Sequence, residues 1–368
     1  MYRKILHLDL DAFFCAVEEL QNPALQGKPF AVGGRPEERG VVASCSYPAR
    51  RMGVRSAMPM IRALRLCPQL IIVPSRHSLY RETSEKVMAI LHDLTPLVEQ
   101  LSIDEAFLDV TDLPEEADIL GRGLQQRINT ELHLSCSIGV ATNKLVAKIA
   151  NNIGKARSVG NNPPNAITII LPGDEAEFLA PLPVNELWGV GPKTEEALAA
   201  LGITTIGDLA AWEETDLARR FGKNGADLAR HARGLDDRPI ETERETKSVS
   251  RETTFVYDVD DLDLLKNTLH ELTIDLAESL QKNALKGYTI KLKLRRADFT
   301  TLTRQLTLAH RTHAAEEIYQ VACDLLERHR GDQPVRLIGV GVSGFEETSS
   351  EIQLRLWDDQ PNSTRYQD

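Results

Sequence analysis

Two nearly apolar runs in this chain are each broken by acids. KILHLDLDAFF, residues 4–14, carries Asp9 and Asp11, and LSIDEAFLDV, residues 101–110, carries Asp104 and Glu105 side by side. Each pattern predicts a strand that delivers carboxylates at one end. Val41–Ser46 and residues 134–141 also read as strands, and Pro48 suits the first turn of a short helix that follows. Apolar stripes at helical spacing predict a helix over 79–97, from Val87, Ile90, Leu91 and Leu94, and another around 115–132. A third spans 141–155, with Leu145, Val146, Ile149 and Ile153 on its apolar face. Strands interleaved with helices, with acids on strands distant in sequence, predict an α+β core.

Beyond residue 160 the pattern changes. Residues 161–174 read as a turn, a last strand and a domain edge. In residues 181–210, Gly189-Val190-Gly191 opens a helix whose first turn holds Pro192 and Thr194, and Gly202 leads to a second short helix over 205–211. A glycine pair at a helix start aims free N–H groups outward, so this unit reads as a helix-hairpin-helix that grips a nucleic-acid backbone without reading sequence. FGKNG, residues 221–225, reads as a second glycine-flanked lysine loop; Lys193 and Lys223 are the cations of the two. Residues 233–246 are almost free of apolar side chains and read as a linker. In residues 288–296, Ile290, Leu292 and Leu294 alternate with Lys291, Lys293 and Arg295, which predicts a strand with one buried and one cationic face. That cationic face suits a nucleic-acid backbone, and equally an edge-protected solvated surface. In the polar tail, 346–368, the apolar motif Gln353, Leu354, Arg355, Leu356, Trp357 reads as a docking peptide or as a segment packed back on its own domain.

The acids carry the chemistry. Carboxylates set in apolar runs are costly unless something cationic neutralises them. Neighbouring residues of a regular strand face opposite sides, so Asp104 and Glu105 serve one site only where the strand ends or turns, and Ser102 suits such a turn. Alone the doublet reads equally as a solvated strand end. With the second acid-bearing strand, the pattern fits a hard cation such as Mg²⁺ that keeps room for substrate phosphates. Tyr47 and Arg50, three apart on one helical face, suit a phosphate clamp, or else a packing tyrosine beside a solvated arginine. Lys148 and Lys155, two turns apart, either reach a triphosphate or serve solubility.

Composition narrows this picture. At 368 residues, 42% hydrophobic and 26% charged, the chain reads as globular, with about two to four domains. No apolar run is long enough to span a bilayer, and the start carries charge too early for a secretory signal, which predicts a cytoplasmic protein. Cys15, Cys45, Cys67, Cys136 and Cys323 are scattered without a C-x-x-C pair, so neither a disulfide framework nor a zinc site is indicated. The net charge of −11 argues against a nucleic-acid partner, but residues 282–311 hold eight basic residues against the single acid Asp298.

Taken together, LDLDAFF, SYPARRMGVRSAMP, LSIDEAFLDV, KLVAKIA and the GVG hairpin resemble a Y-family DNA polymerase of the translesion branch, over residues 3–357. The resemblance implies an α+β multidomain right-hand polymerase. Its palm falls on 1–10 and 76–165, the inserted fingers on 11–75 and the helix-hairpin-helix thumb on 166–232. A linker at 233–246, a little finger at 247–345 and a tail with a clamp-binding-like peptide at 346–368 complete it. The family's metal ligands fall on Asp9, Asp104 and Glu105, with the carbonyl of Leu10 added; Asp11 is not among them. Phe14 matches the aromatic gate that collides with a ribose 2′-OH, and Tyr47, Arg50 and Lys155 match the triphosphate ligands. Where the family has Lys-Pro, this chain has Lys155-Ala156-Arg157.

The implied partners are primer–template DNA, deoxynucleoside triphosphates, two Mg²⁺ ions per active site and a sliding clamp bound through residues 353–357, with the polymerase a monomer away from membranes. DNA contacts are expected from Gly189, Gly191, Lys193, Lys223, Lys291, Lys293 and Arg295. Two rivals remain: a metal-dependent nuclease or phosphatase using the same carboxylates, and a non-catalytic DNA-binding scaffold.

Overall fold

The computed structural model describes residues 2–158, 160 and 162–345. It divides into two compact units, Met1–Arg244 and Glu245–Asp368.

Unit one is built on a five-stranded sheet of β1 (Ile5–Leu10), β5 (Val98–Gln100), β6 (Glu105–Asp109), β7 (Cys136–Ala141) and β8 (Ile167–Ile169), in the order β5-β6-β1-β7-β8. β1 is antiparallel to both neighbours, and β8 joins β7 in parallel. Alternation along β1 sorts its side chains. Leu6, Leu8 and Leu10 pack with Val87, Ile90 and Leu91 of the helix His77–Leu94 and with Leu124 and Ile128 of the helix Ala117–Glu131. Ile5, with Phe107 from β6, packs instead with Leu145, Val146 and Ile149 of the helix Lys144–Arg157. That helix meets the sheet at Gly139, which lies opposite His7; a β-carbon there would stand 1.9 Å from the Ala147 carbonyl oxygen. Only glycine lets the two backbones approach so closely.

Residues 11–75 add a three-stranded sheet, β3-β2-β4, from β2 (Phe30–Gly33), β3 (Val42–Cys45) and β4 (Ile71–Val73). Ser46 caps the short helix Tyr47–Arg51, accepting a hydrogen bond from the Ala49 N–H, with proline in the first turn as expected. The thumb region is helical, with Pro192–Ala199 and Ile206–Ala210 forming the hairpin pair; Thr205 and Asp208 close a capping box at the second.

Three boundaries differ from the sequence expectation. Because β8 pairs with β7, the sheet runs past residue 165 and takes in residues assigned to the thumb. FGKNG is not one loop: Gly222 (φ +63) alone breaks the chain, Lys223 starts the helix Lys223–Ala232, and Gly225 lies inside it. A β-carbon on Gly225 would stand 2.1 Å from the Leu217 carbonyl oxygen, so this glycine serves helix packing rather than a turn. Residues 233–241 are not a free linker either. Asp236 is buried, accepts from the Leu145 N–H at 3.0 Å and holds Arg238 at 2.7 and 2.9 Å, while the Glu241 N–H reaches Glu99 at 2.9 Å. Polar composition suggested a linker because it cannot reveal such buried partners.

Unit two is an antiparallel sheet, β11-β10-β12-β9, from β9 (Ser248–Val259), β10 (Gly287–Arg296), β11 (Thr301–Thr312) and β12 (Val335–Ser343). Ile290, Leu292 and Leu294 are buried opposite Val342, Val340 and Ile338, under the helices Leu262–Lys282 and Ala315–His329. The alternate positions Lys291, Lys293 and Arg295 lie on the other face, as the period of two requires. Lys293 pairs with Glu252 at 2.7 Å and Arg295 bonds Thr301 at 2.9 Å. All five cysteines are buried and free. Among the described residues no helix is long and apolar enough to cross a membrane.

Candidate active site

The register of β1 against β6 brings together acids that are distant in sequence. Asp9 lies directly opposite Glu105, and the Leu10 N–H bonds the Asp104 carbonyl at 2.9 Å. β6 begins at Glu105, so Asp104 falls in the bend before the strand. The Ser102 hydroxyl donates to Asp104 Oδ1 at 2.6 Å and accepts from the Asp104 N–H at 3.3 Å. Asp104 thus lies outside the strict alternation of the pleat, whereas Glu105 is the first residue of the strand itself. Asp9 and Asp104 line one cavity of about 300 Å³ with Leu10, Phe14, Arg50 and Lys155.

Asp11, which spacing nominates as readily as Asp9, is a different kind of residue. It is fully buried and accepts from Ser135 at 2.7 Å, Ser137 at 2.9 Å and the Asn165 N–H at 2.9 Å. β1 has already ended, and Ala12 turns the chain with a left-handed φ of +47. With its oxygens occupied, Asp11 ties the turn to β7.

The helix Lys144–Arg157 supplies the counter-charges. Lys144, Lys148, Asn151 and Lys155 fall on one stripe, at i, i+4, i+7 and i+11. Lys144 reaches Glu99 at 2.7 Å, Lys148 ion-pairs with Glu105, and Lys155 reaches Asp9 at 2.6 Å and Asp11 at 3.5 Å. Asn151 donates to His7 Nδ1 at 2.9 Å, which leaves the proton on Nε2 to be donated to Glu105. Burial, reinforced by the nearby Lys148 ammonium, lowers the His7 pKa to about 3, so the ring is a neutral, fixed donor. Burial likewise lowers the pKa of Lys148 from the usual lysine range.

Among the described residues no group of three or more acids, histidines or cysteines is arranged to hold a metal ion; Lys155 engages Asp9 and Lys148 engages Glu105. The donor set nonetheless suits a hard divalent cation: carboxylates at adjoining strand ends, two of them on one cavity. Sequence reading missed His7, Asn151 and Lys144, although their four-residue and seven-residue spacing on one helix was visible for the last two.

On the nucleotide side, the Tyr47 hydroxyl is buried without a hydrogen-bond partner, an orphan of the kind that a ligand satisfies. Burial raises its pKa, and the charges of Asp11 and Asp9 raise it further. The Arg50 guanidinium lies 5.1 Å from the centre of the Tyr47 ring and donates Nε to the Cys45 carbonyl at 3.1 Å. Phe14 stacks on Tyr80, with ring centres 4.2 Å apart and 14° between planes. The Tyr80 hydroxyl donates to Glu18 at 2.6 Å, and Arg76 Nε donates to the same carboxylate at 2.9 Å. This support for Phe14 was invisible in sequence, since its members are scattered from residue 18 to residue 80.

In the hairpin, Gly189 adopts φ +99, where a side chain would be strained, and Gly191 caps the helix start. Lys193 and Lys223 are exposed at the starts of their helices. Trp188, just before the loop, carries Arg238 at 4.6 Å and Lys148 at 5.8 Å from its ring centre. Gln353, Leu354, Leu356 and Trp357 lie outside the described residues.

Comparison with known proteins is consistent across the chain. The model of the impB/mucB/samB family matches residues 8–152, that family's C-terminal domain matches 246–356, and its HHH motif matches 172–203. The chain is 42% identical to the DNA polymerase IV of Listeria innocua over 358 residues, 96% of this chain and 98% of that protein. It is also 42% identical to the DNA polymerase IV of Dehalococcoides mccartyi, over 96% of this chain and 90% of the other. A Y-family DNA polymerase chimera of Dbh and Dpo4 superposes with a TM-score of 0.81 at 30% identity, covering 93% of this chain and 99% of that one. The insertion ternary complex of Dbh DNA polymerase gives 0.64 at 29% identity, covering 93% and 99%.

Proposed function

Because the chain belongs to the Y-family of DNA polymerases, on the DNA polymerase IV branch, and is a DNA-directed DNA polymerase, we propose that it extends a primer 3′ end with two Mg²⁺ ions per active site and copies past damaged template bases with low fidelity. The observation that carries this reading is the convergence of Asp9, Asp104, Phe14, Arg50 and Lys155 on one cavity. Asp9, Asp104 and Glu105, with the Leu10 carbonyl, are the groups that would hold the ions. Ions held there would make the primer 3′-OH more acidic and would offset the charge of the leaving pyrophosphate. Arg50, Lys155 and the unpartnered Tyr47 hydroxyl are suited to fix the triphosphate, so catalysis is mainly positioning and electrostatics. A nuclease using the same acids has no need of this gathering of aromatic and cationic groups.

Primer extension on intact and damaged templates tests the reading directly. Template-dependent product is expected on both, whereas degradation of labelled duplex with Mg²⁺ and no nucleotides would support the nuclease instead. Phe14→Ala is expected to raise the efficiency of ribonucleotide insertion relative to deoxynucleotide by about ten- to a hundredfold. The ratio of kcat/KM values measures it, and an unchanged ratio would remove Phe14 as the sugar gate.

Contacts to the DNA backbone from the main-chain N–H groups of Gly189 and Gly191 and from the cations of Lys193, Lys223, Lys291, Lys293 and Arg295 form part of the same proposal, with the polymerase acting as a cytoplasmic monomer. Residues 353–357 are proposed to bind a sliding clamp. Deleting them should abolish stimulation by the clamp while leaving distributive synthesis intact; stimulation that persists would end that assignment.

A further inference from the structure

Lys148 connects one acid of the site to the hairpin. Its ammonium ion-pairs with Glu105 and stands 5.8 Å from the ring centre of Trp188, the residue immediately before Gly189. Trp188 is 40% exposed, although it also lies 6.5 Å from Phe107, two residues beyond Glu105 in β6. A tryptophan at a loop edge that faces both Lys148 and Arg238 is arranged for cation–π contact as well as packing. The Glu105 carboxylate therefore has two donors of different character. His7 is buried and locked by Asn151, whereas Lys148 is shared with the hairpin.

We propose that Lys148 is a positioning residue that couples the hairpin loop to Glu105, so that backbone engagement at Gly189–Gly191 biases where the Glu105 carboxylate lies. One ammonium divided between a carboxylate and an aromatic face responds to movement of either. Displacing Trp188 alters the hold on Glu105, and a cation arriving at Glu105 alters the environment of Trp188. The coupling is reciprocal, as linkage demands. It rests on the reading of Glu105 as a metal-binding acid.

Two measurements on the full-length protein test it. In the first, single-turnover insertion is followed in Lys148→Met, Trp188→Leu and the double variant. Each single change should slow insertion about tenfold, the scale at which residues behind a metal ligand act, with duplex affinity held within about twofold. The double variant should be no slower than the worse single one, and Lys148→Arg should restore most of the rate. Multiplicative losses, or an unchanged rate in Lys148→Met, would overturn the proposal.

In the second, Trp212 and Trp357 are replaced by Phe, leaving Trp188 as the only tryptophan, and its emission is followed as Mg²⁺ is added without DNA or nucleotide. A saturating change is expected with Lys148 present and lost in Lys148→Met; no change, or the same change in both, overturns the proposal. Glu105→Gln separates the two levels. Full activity in that variant removes the metal-ligand reading itself, while an inactive Glu105→Gln beside multiplicative losses at Lys148 and Trp188 removes only the coupling.

Discussion

Asp104→Ala is expected to abolish primer extension while leaving primer–template DNA bound. Asp104 lies in the bend before β6, half-buried on the cavity it shares with Asp9, and its side chain bonds Ser102 rather than the core. Its removal therefore spares the fold. It takes away one of the acids that would hold the ions on which nucleotidyl transfer depends. A loss of at least about 4 kcal/mol of transition-state stabilisation, near a thousandfold in rate, follows from removing a preorganised charge at a site of this kind. Asp104 is not among the proposed DNA-contact residues, so affinity for duplex should change little. Single-turnover extension and fluorescence anisotropy on the same preparation check both halves, and a rate within tenfold of the parent protein would refute the role.

Asp11→Ala should act in the opposite manner, through the fold. The Asp11 carboxylate is fully buried and receives two hydroxyls and a backbone N–H, with Lys155 at 3.5 Å. Truncation leaves the buried Ser137 hydroxyl without its acceptor and removes the Asp11 carboxylate from Ser135 and the Asn165 N–H. Removing one member of such a buried charged network costs roughly 3–5 kcal/mol. For a unit of this size, that corresponds to a fall of about 10 °C in the unfolding temperature. Asp11→Asn, which keeps one acceptor oxygen, should lose less. Thermal unfolding of the three proteins measures the series, and an unchanged midpoint for Asp11→Ala would show that the turn is held by other means.

The contrast between Asp9 and Asp11 marks where sequence reading stops. Both follow leucines at a period of two, so pattern nominates them equally. Their roles diverge only because β1 ends at Leu10 and Ala12 turns left-handed, delivering Asp11 to partners more than 120 residues away. What was legible was local: apolar runs ending in acids, the amphipathic helices, the proline-started helix at Tyr47 and the alternation from Ile290 to Arg295. Lys148 and Lys155 read either as triphosphate ligands or as solubilising lysines, since an amphipathic helix presents such residues to water by default. Their acids come from β6 and β1, which no spacing within the helix can reveal. A strand within 161–174 was legible, but not that β8 continues the sheet of β7, nor that the segment 233–241 is seated, since each is defined by a partner distant in sequence.

Gly139 bears on how the site tolerates change. Where the helix carrying Lys148 and Lys155 crosses β7, the gap is set by main chain against main chain. Most helix–sheet distances are set by the bulk of intervening side chains and drift as core residues are exchanged. Here a hydrogen atom is the spacer, so the reach from ammonium to carboxylate is insulated from repacking elsewhere, and variation can accumulate around the crossing without moving the charges out of alignment.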